Sequence, residues 1–106
     1  MHKRTGVNFM KIEGKTASGF AFSVESGLLE DFEFLALLGD FTGEDDRART
    51  RAVLALPGRL LGEEGRRALI AHCRNEEGFS PTARIYEELG SILNLCQERN
   101  RAVKKS

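Results

Sequence analysis

The sequence predicts an α+β domain, mainly α, in which an N-terminal β-hairpin is followed by three or four packed helices. Two short segments near the start alternate apolar and polar residues, and the period changes to that of a helix after Val24. Only two prolines occur in 106 residues, so the backbone is free to form long helices. A chain of this length has room for one core, and residues 1–106 are therefore expected to form a single domain.

The two alternating segments are residues 7–12 and 20–24, and the polar loop between them has a glycine near each end. Alternation with period two on both sides of such a loop is typical of a β-hairpin. Phe20, Phe22 and Val24 share one face of the second strand, and we expect this face to pack on the core.

A helix is predicted over residues 28–39, and acidic residues in its first turns are favoured by the helix dipole. Leu28, Phe32 and Leu35 form one apolar stripe along it, and a second stripe lies on the other side. Because a small domain rarely buries both sides of a helix, we expect one stripe to face a partner. The partner-binding surface is assigned to the second stripe, which we expect to be exposed in the monomer or buried between copies. Its residues are Phe34, Leu37, Leu38 and Phe41.

The remaining chain predicts further helices. A second helix starts near residues 42–45, and we expect Pro57 to end it because proline restrains the residue before it. A third helix is expected from about Gly62 to Arg74. The last helix is predicted to start at Ser80–Pro81. Proline is favoured at the first helical position, because the backbone N–H group that it lacks would have no partner within the helix. The apolar residues that follow at near-helical spacing are Ile85, Leu89, Ile92, Cys96 and Val103.

Charge is segregated along the chain, although 16 basic residues balance 16 acidic ones. Residues 25–46 contain eight acids and no base, whereas residues 47–74 contain seven arginines and two acids. The two segments either pack beside each other within the fold or present faces that pair between copies or with another protein. The sequence alone leaves both interpretations open.

No pattern in the sequence indicates catalysis, a metal or a cofactor. His2, His72, Cys73 and Cys96 lack the close ligand pairs of structural zinc sites, and the neighbouring glutamate pairs point apart on a helix. The longest apolar run, residues 34–38, is far too short to span a membrane, and no signal peptide is recognisable. We therefore expect a cytoplasmic protein without enzymatic activity.

The order of short motifs supports a more specific interpretation. They are residues 22–27 (FSVESG), 29–38 (LEDFEFLALL), 60–64 (LLGEE), 73–78 (CRNEEG) and 87–89 (EEL), followed by a basic tail. With this order, the chain resembles the tail assembly chaperones of long-tailed bacteriophages and prophages over about residues 10–105. Relative to that family, residues 1–9 form an N-terminal extension, which is either an upstream start or an added segment.

The resemblance implies a non-catalytic protein of the bacterial host cytoplasm that acts during tail morphogenesis. Such a chaperone binds the tape-measure protein and aids the recruitment of tail-tube protein, and self-association is compatible with this role. The alternative function is a small regulatory protein that binds nucleic acid through arginine-rich helices. The arginines concerned are Arg47, Arg49, Arg51, Arg59, Arg66 and Arg67. An active site assembled from distant residues is a third possibility, without positive support in the sequence.

Overall fold

A computed structural model describes the backbone of residues 11–105 and the side chains of residues 11–100. In chain order, the elements are strands β1 (Lys11–Lys15) and β2 (Ala21–Glu25), a 3-10 turn (Ser26–Glu30), and helices α1 (Phe32–Thr42), α2 (Asp46–His72) and α3 (Thr82–Lys105). The predicted α+β, mainly α fold with an N-terminal hairpin and three helices is thereby confirmed. The proposed extension at residues 1–9 lies outside the described residues.

The hairpin is antiparallel and places alternate side chains on the core. Ile12 pairs with Val24 and Gly14 with Phe22, and the face that contains Phe20, Phe22 and Val24 is buried, as predicted. The predicted end of the first strand at residue 12 is wrong, because residues 13–15, which we assigned to the loop, continue the pairing with β2. A Cβ added at Gly14 would lie 2.9 Å from Cζ of Phe22, so the phenyl ring occupies the space above this glycine. The missing side chain therefore lets Phe22 cover its partner strand.

Aspartates define the starts of the first two helices. The side chain of Asp31 accepts a hydrogen bond from the backbone N–H of Phe34 at 2.9 Å, and Asp45 accepts from Arg47 and Ala48 at 3.0 and 3.3 Å. Both caps satisfy backbone donors that have no partner within the helix. Helix α1 therefore begins at Phe32, four residues after the predicted start, and the residues before Asp31 form the 3-10 turn.

Our prediction that Pro57 ends the second helix is wrong. Pro57 lies inside α2 and is buried, and the helical geometry breaks at Gly62, which has φ 78° and ψ 175°. Proline removes one backbone hydrogen bond, but here its ring packs in the interior next to the buried Leu56. Glycine accepts a positive φ without a Cβ clash. The break thus falls where we expected the third helix to start.

The start of α3 also differs in detail from the prediction. The helix begins at Thr82, and the carbonyl oxygen of Pro81 accepts hydrogen bonds from the N–H groups of Arg84 and Ile85 at 3.0 and 3.2 Å. Ser80 does not act as the cap: its hydroxyl donates to the carbonyl oxygen of Ile70 at 2.7 Å. Ser80 therefore ties the start of α3 to the end of α2.

The core lies between the hairpin and the three helices. Its largest fully buried side chains come from β2 and from every helix. They are Val24, Phe34, Leu56, Leu69, Leu89, Ile92 and Cys96. The stripe predicted along α3 is confirmed from Ile85 to Cys96, where every member is buried, and its last predicted member, Val103, lies outside the residues with described side chains. The guanidinium of Arg99 donates to the carbonyl oxygen of Glu13 at 2.7 Å and so joins α3 to β1.

Candidate protein-binding surfaces

The four residues assigned to a partner from the sequence face inward or are half-buried. Phe34 and Phe41 are 0% and 4% exposed, so our expectation that they are exposed is wrong for both. Leu37 and Leu38 are half-buried and pack against the core. The Phe41 ring contacts the Tyr86 ring of α3 with centroids 4.8 Å apart. This side of α1 is therefore the one that holds the helix on the domain.

The opposite side of α1 is apolar and exposed. Phe32 is 84% exposed and Leu35 is 47% exposed, and Ala36 and Gly39 are exposed beside them. Residues at i, i+3, i+4 and i+7 share one face of a helix, so these four form one continuous strip. We call the strip Phe32, Leu35, Ala36 and Gly39 the α1 face. It includes two residues of the stripe that the sequence analysis did not choose.

Acidic residues border the α1 face on one side. Glu33 and Asp40 are exposed there, and Arg59 of α2 donates to Glu33 at 2.8 Å and to the capping residue Asp31 at 3.0 Å. The backbone N–H of Phe34, together with the Arg59 guanidinium, holds the pKa of Asp31 below its ordinary value. The acidic segment and the arginine-rich segment therefore do meet within the fold at this point.

A second apolar surface lies between α2 and α3. Two adjoining depressions of about 310 and 200 Å³ share Val53 and Thr82. We call them together the α2–α3 groove. The residues that line it are Arg49, Thr50, Val53, Leu54, Pro57, Arg66, Ile70, Ser80, Thr82, Ala83, Ile85 and Tyr86. Leu54 is 66% exposed and Tyr86 is 39% exposed, so large apolar side chains reach solvent here.

Most of the arginines proposed as phosphate contacts are engaged by carboxylates. Arg49 pairs with Asp46 at 2.8 Å, Arg59 pairs with two acids of the α1 region, and Arg66 and Arg67 approach Glu63 at 3.7 and 3.2 Å. Arg47 and Arg51 are exposed and have no ion-pair partner within residues 11–100. Carboxylates beside four of the six arginines would repel a phosphate backbone.

A polar junction connects the hairpin turn to α2 and α3. The Ser18 hydroxyl donates to Oε2 of Glu88 at 2.7 Å and lies 2.8 Å from Nε2 of His72. The serine has only one hydrogen to donate, so Nε2 of His72 must carry the hydrogen in that contact. The His72 ring also lies against the Phe20 ring, with centroids 5.3 Å apart.

This junction lacks the arrangement of a catalytic triad. In a triad the carboxylate orients the histidine, which in turn accepts the serine proton. Here Glu88 binds the serine itself, and the histidine donates to it. We therefore interpret the three residues as a structural link. No local pattern in the sequence indicates this link, because Ser18 is separated from His72 by 54 positions and from Glu88 by 70.

The two cysteines are buried thiols. Burial raises the pKa of Cys96 to about 11, and burial together with the charge of Glu88 raises the pKa of Cys73. A thiol with a raised pKa is a poor nucleophile and a poor metal ligand at neutral pH. In the part of the chain with described side chains, no three His, Cys, Asp or Glu residues are grouped to hold a metal ion.

None of the helices described between residues 11 and 105 is both long enough and apolar enough to cross a membrane. Comparisons of the chain with protein-family models, with curated proteins and with solved structures find no match.

Proposed function

We propose that this protein is a tail assembly chaperone of a bacteriophage or prophage, which binds the tape-measure protein and aids the recruitment of tail-tube subunits. The observation that carries the proposal is the α1 face. Phe32 is 84% exposed although it lies in the first turn of a helix whose other side is part of the core. Exposed apolar strips of this kind mark sites of protein–protein interaction.

The α1 face suits a helical client. It extends over about two helical turns, or about 10 Å, from Phe32 to Gly39. Phe32 and Leu35 supply the apolar anchors, and the small residues Ala36 and Gly39 allow a second helix to approach closely. A client helix with an apolar stripe and basic flanks would also find charge complementarity at Asp40, which has no ion-pair partner among the described side chains.

The size of the α1 face favours reversible binding. Only two large side chains project from it, whereas permanent interfaces bury thousands of Å². A chaperone must release its client as the tail is completed, and many weak sites along a long client can hold it in solution until then. We propose accordingly that the protein acts by binding and has no catalytic step.

Co-expression tests the proposal directly. The long coiled-coil protein encoded downstream in a phage tail operon should stay soluble when it is co-expressed with this chain, because a covered client self-associates less. The double variant Phe32→Ser/Leu35→Ser should lose this effect and keep its helical circular dichroism. Phe79→Ser, which removes another exposed phenylalanine outside both surfaces, should retain it. A native chain that neither binds nor solubilises the client would count against the chaperone assignment.

The regulatory alternative has weaker support. It requires arginines that are free to contact phosphates, and only Arg47 and Arg51 of the six lack an ion-pair partner within residues 11–100. Binding to duplex DNA that weakens steeply between 50 and 200 mM salt would favour this alternative over the chaperone.

A further inference from the structure

We infer that the α2–α3 groove is a second docking site, and that it binds an amphipathic helix of a partner protein whose apolar stripe is flanked by acidic residues. The site is separate from the α1 face, and the inference does not depend on which client that face binds. It rests on the shape of the groove, on the exposure of its apolar residues and on the charges around it.

The shape of the groove matches a helix. On α2, Thr50, Val53, Leu54 and Pro57 lie at i, i+3, i+4 and i+7 and therefore line one side continuously. The first turns of α3 line the other side. Two depressions lie along the groove, and a helix that binds in such a groove places its apolar side chains at matching intervals of three or four residues. The groove is open to solvent at Leu54, which is 66% exposed and so remains available for contact.

The charged residues that line the groove are basic, and two further arginines lie beside it. Among the described residues that line the two depressions, two are arginines and none is acidic. Arg49 lies in the first depression and Arg66 in the second, but each is paired with a carboxylate of its own chain, Asp46 and Glu63 respectively. Arg47 and Arg51 precede Leu54 by seven and three residues, so both lie along its side of α2. Arg47 and Arg51 have no ion-pair partner within residues 11–100, so acidic residues on the flank of a bound helix that faces α2 would meet them. This charge complementarity favours such a partner and sets its orientation.

A second copy of this chain is the less suitable occupant. Its α1 is acidic and has an exposed apolar strip, but the carboxylates of Asp31 and Glu33 are already bonded to Arg59 of the same chain. Only Asp40 on that helix would be left to meet the groove arginines. Docking between copies would also cover the α1 face. An external helix with several acids beside its stripe would offer more carboxylates to Arg47 and Arg51.

A synthetic peptide provides the probe. We would use a helical peptide of about 20 residues with leucines at i, i+3 and i+7 and glutamates beside them, and a control peptide with lysine at every glutamate. Fluorescence anisotropy with the full chain should show saturable binding of the acidic peptide and at least tenfold weaker binding of the basic one. The substitution Leu54→Ser should weaken binding of the acidic peptide by about tenfold, whereas Leu35→Ser on the α1 face should leave it unchanged.

Charge reversal gives the sharper test. The double variant Arg47→Glu/Arg51→Glu should reverse the preference, so that the basic peptide binds more tightly than the acidic one. Both side chains are exposed, and unchanged circular dichroism would show that the fold is retained. Equal affinity for the two peptides, or a loss on Leu35→Ser instead of Leu54→Ser, would overturn the inference.

Two further results would assign the groove to another occupant. Self-association in analytical ultracentrifugation that is abolished by both Leu54→Ser and Phe32→Ser would show that a second copy docks there. Displacement of the acidic peptide by a duplex DNA of mixed sequence would show that the arginines serve a phosphate backbone. Either result would refute the assignment to an acidic helix.

Discussion

Helices α1 and α3 are both amphipathic, yet they use their apolar residues differently. In α3 the apolar stripe from Ile85 to Cys96 is buried and the opposite side is polar. In α1 one apolar side, represented by Phe34, is buried, and a second, represented by Phe32, remains exposed. The comparison shows that α3 buries its apolar stripe within this domain, whereas α1 has a second apolar side that the domain does not cover.

The largest expected effect separates the two sides of α1. Phe34→Ala should lower the free energy of unfolding by about 3–5 kcal/mol, because it removes a fully buried ring and leaves a cavity. Phe32→Ala, two residues earlier, should change it by only about 0.5 kcal/mol, because its ring is already exposed to solvent. Urea denaturation of both variants measures the difference. Similar losses would mean that Phe32 also belongs to the core and that α1 does not differ from α3.

Alanine in place of two glycines should change the stability in opposite directions in the bent helix α2 and the straight helix α3. Gly62→Ala in α2 should destabilise the protein by roughly 1–3 kcal/mol, because φ of 78° with ψ of 175° is strained for any side chain. Gly90→Ala in α3 should stabilise it by about 1 kcal/mol, since alanine favours a helix and its Cβ would meet nothing within 4 Å. Thermal melts of both variants provide the test. Stabilisation by Gly62→Ala would argue that the break in α2 is absent in solution.

The next effect in size is the loss of stability when the hydrogen bond between the hairpin turn and α3 is removed. Ser18→Ala should cost about 1 kcal/mol, because Glu88 loses its serine donor and already has a second oxygen that is buried without a partner among the described groups. Ser23→Ala is the matched control, since Ser23 is exposed on the same hairpin and makes none of these contacts. Equal denaturation midpoints for the two variants would show that the junction adds nothing to the apolar packing of α3.

The last effect is absent at neutral pH and appears only in alkaline solution, where it originates inside α3. The pKa of Cys96 is about 11 in the folded chain, against an ordinary value of 9.0. The unfolded chain therefore releases this proton at lower pH, so the stability due to Cys96 is complete below pH 9 and is lost as the pH rises toward 11. Denaturation at a series of pH values should show a decline over this window that Cys96→Ala lacks. An unchanged slope in the variant would place the dependence elsewhere.

The hairpin and α3 follow from local sequence to a large extent. Alternation in residues 20–24 identifies the inward face of β2, and the stripe from Ile85 to Cys96 identifies the inward face of α3. Each segment has only one apolar face, so its orientation on the core is determined by the pattern itself. Pro57 does not end the second helix, because its ring is buried inside the domain. The local rule for helix ends takes no account of such burial.

Helix α1 is the element for which sequence reasoning fell short. It has apolar residues on both sides, so its pattern predicts a helix but not which side packs on the core. The stripe that we assigned to a partner contains Phe34 and Phe41, and both of these residues are buried. The junction at Ser18 and the α2–α3 groove were also beyond reach, because each brings together residues that lie far apart in the chain.

By itself, the sequence determined the fold class, the hairpin, the existence of the helices and the segregation of charge. These properties depend on local periodicity and on residue type, both of which can be read in short windows of the chain. Only the tertiary structure decided which side of α1 is exposed, which arginines are bonded to acids and where a partner could dock. Those properties depend on competition among distant segments for a limited core, and a core of this size could cover Phe34 but not Phe32 as well.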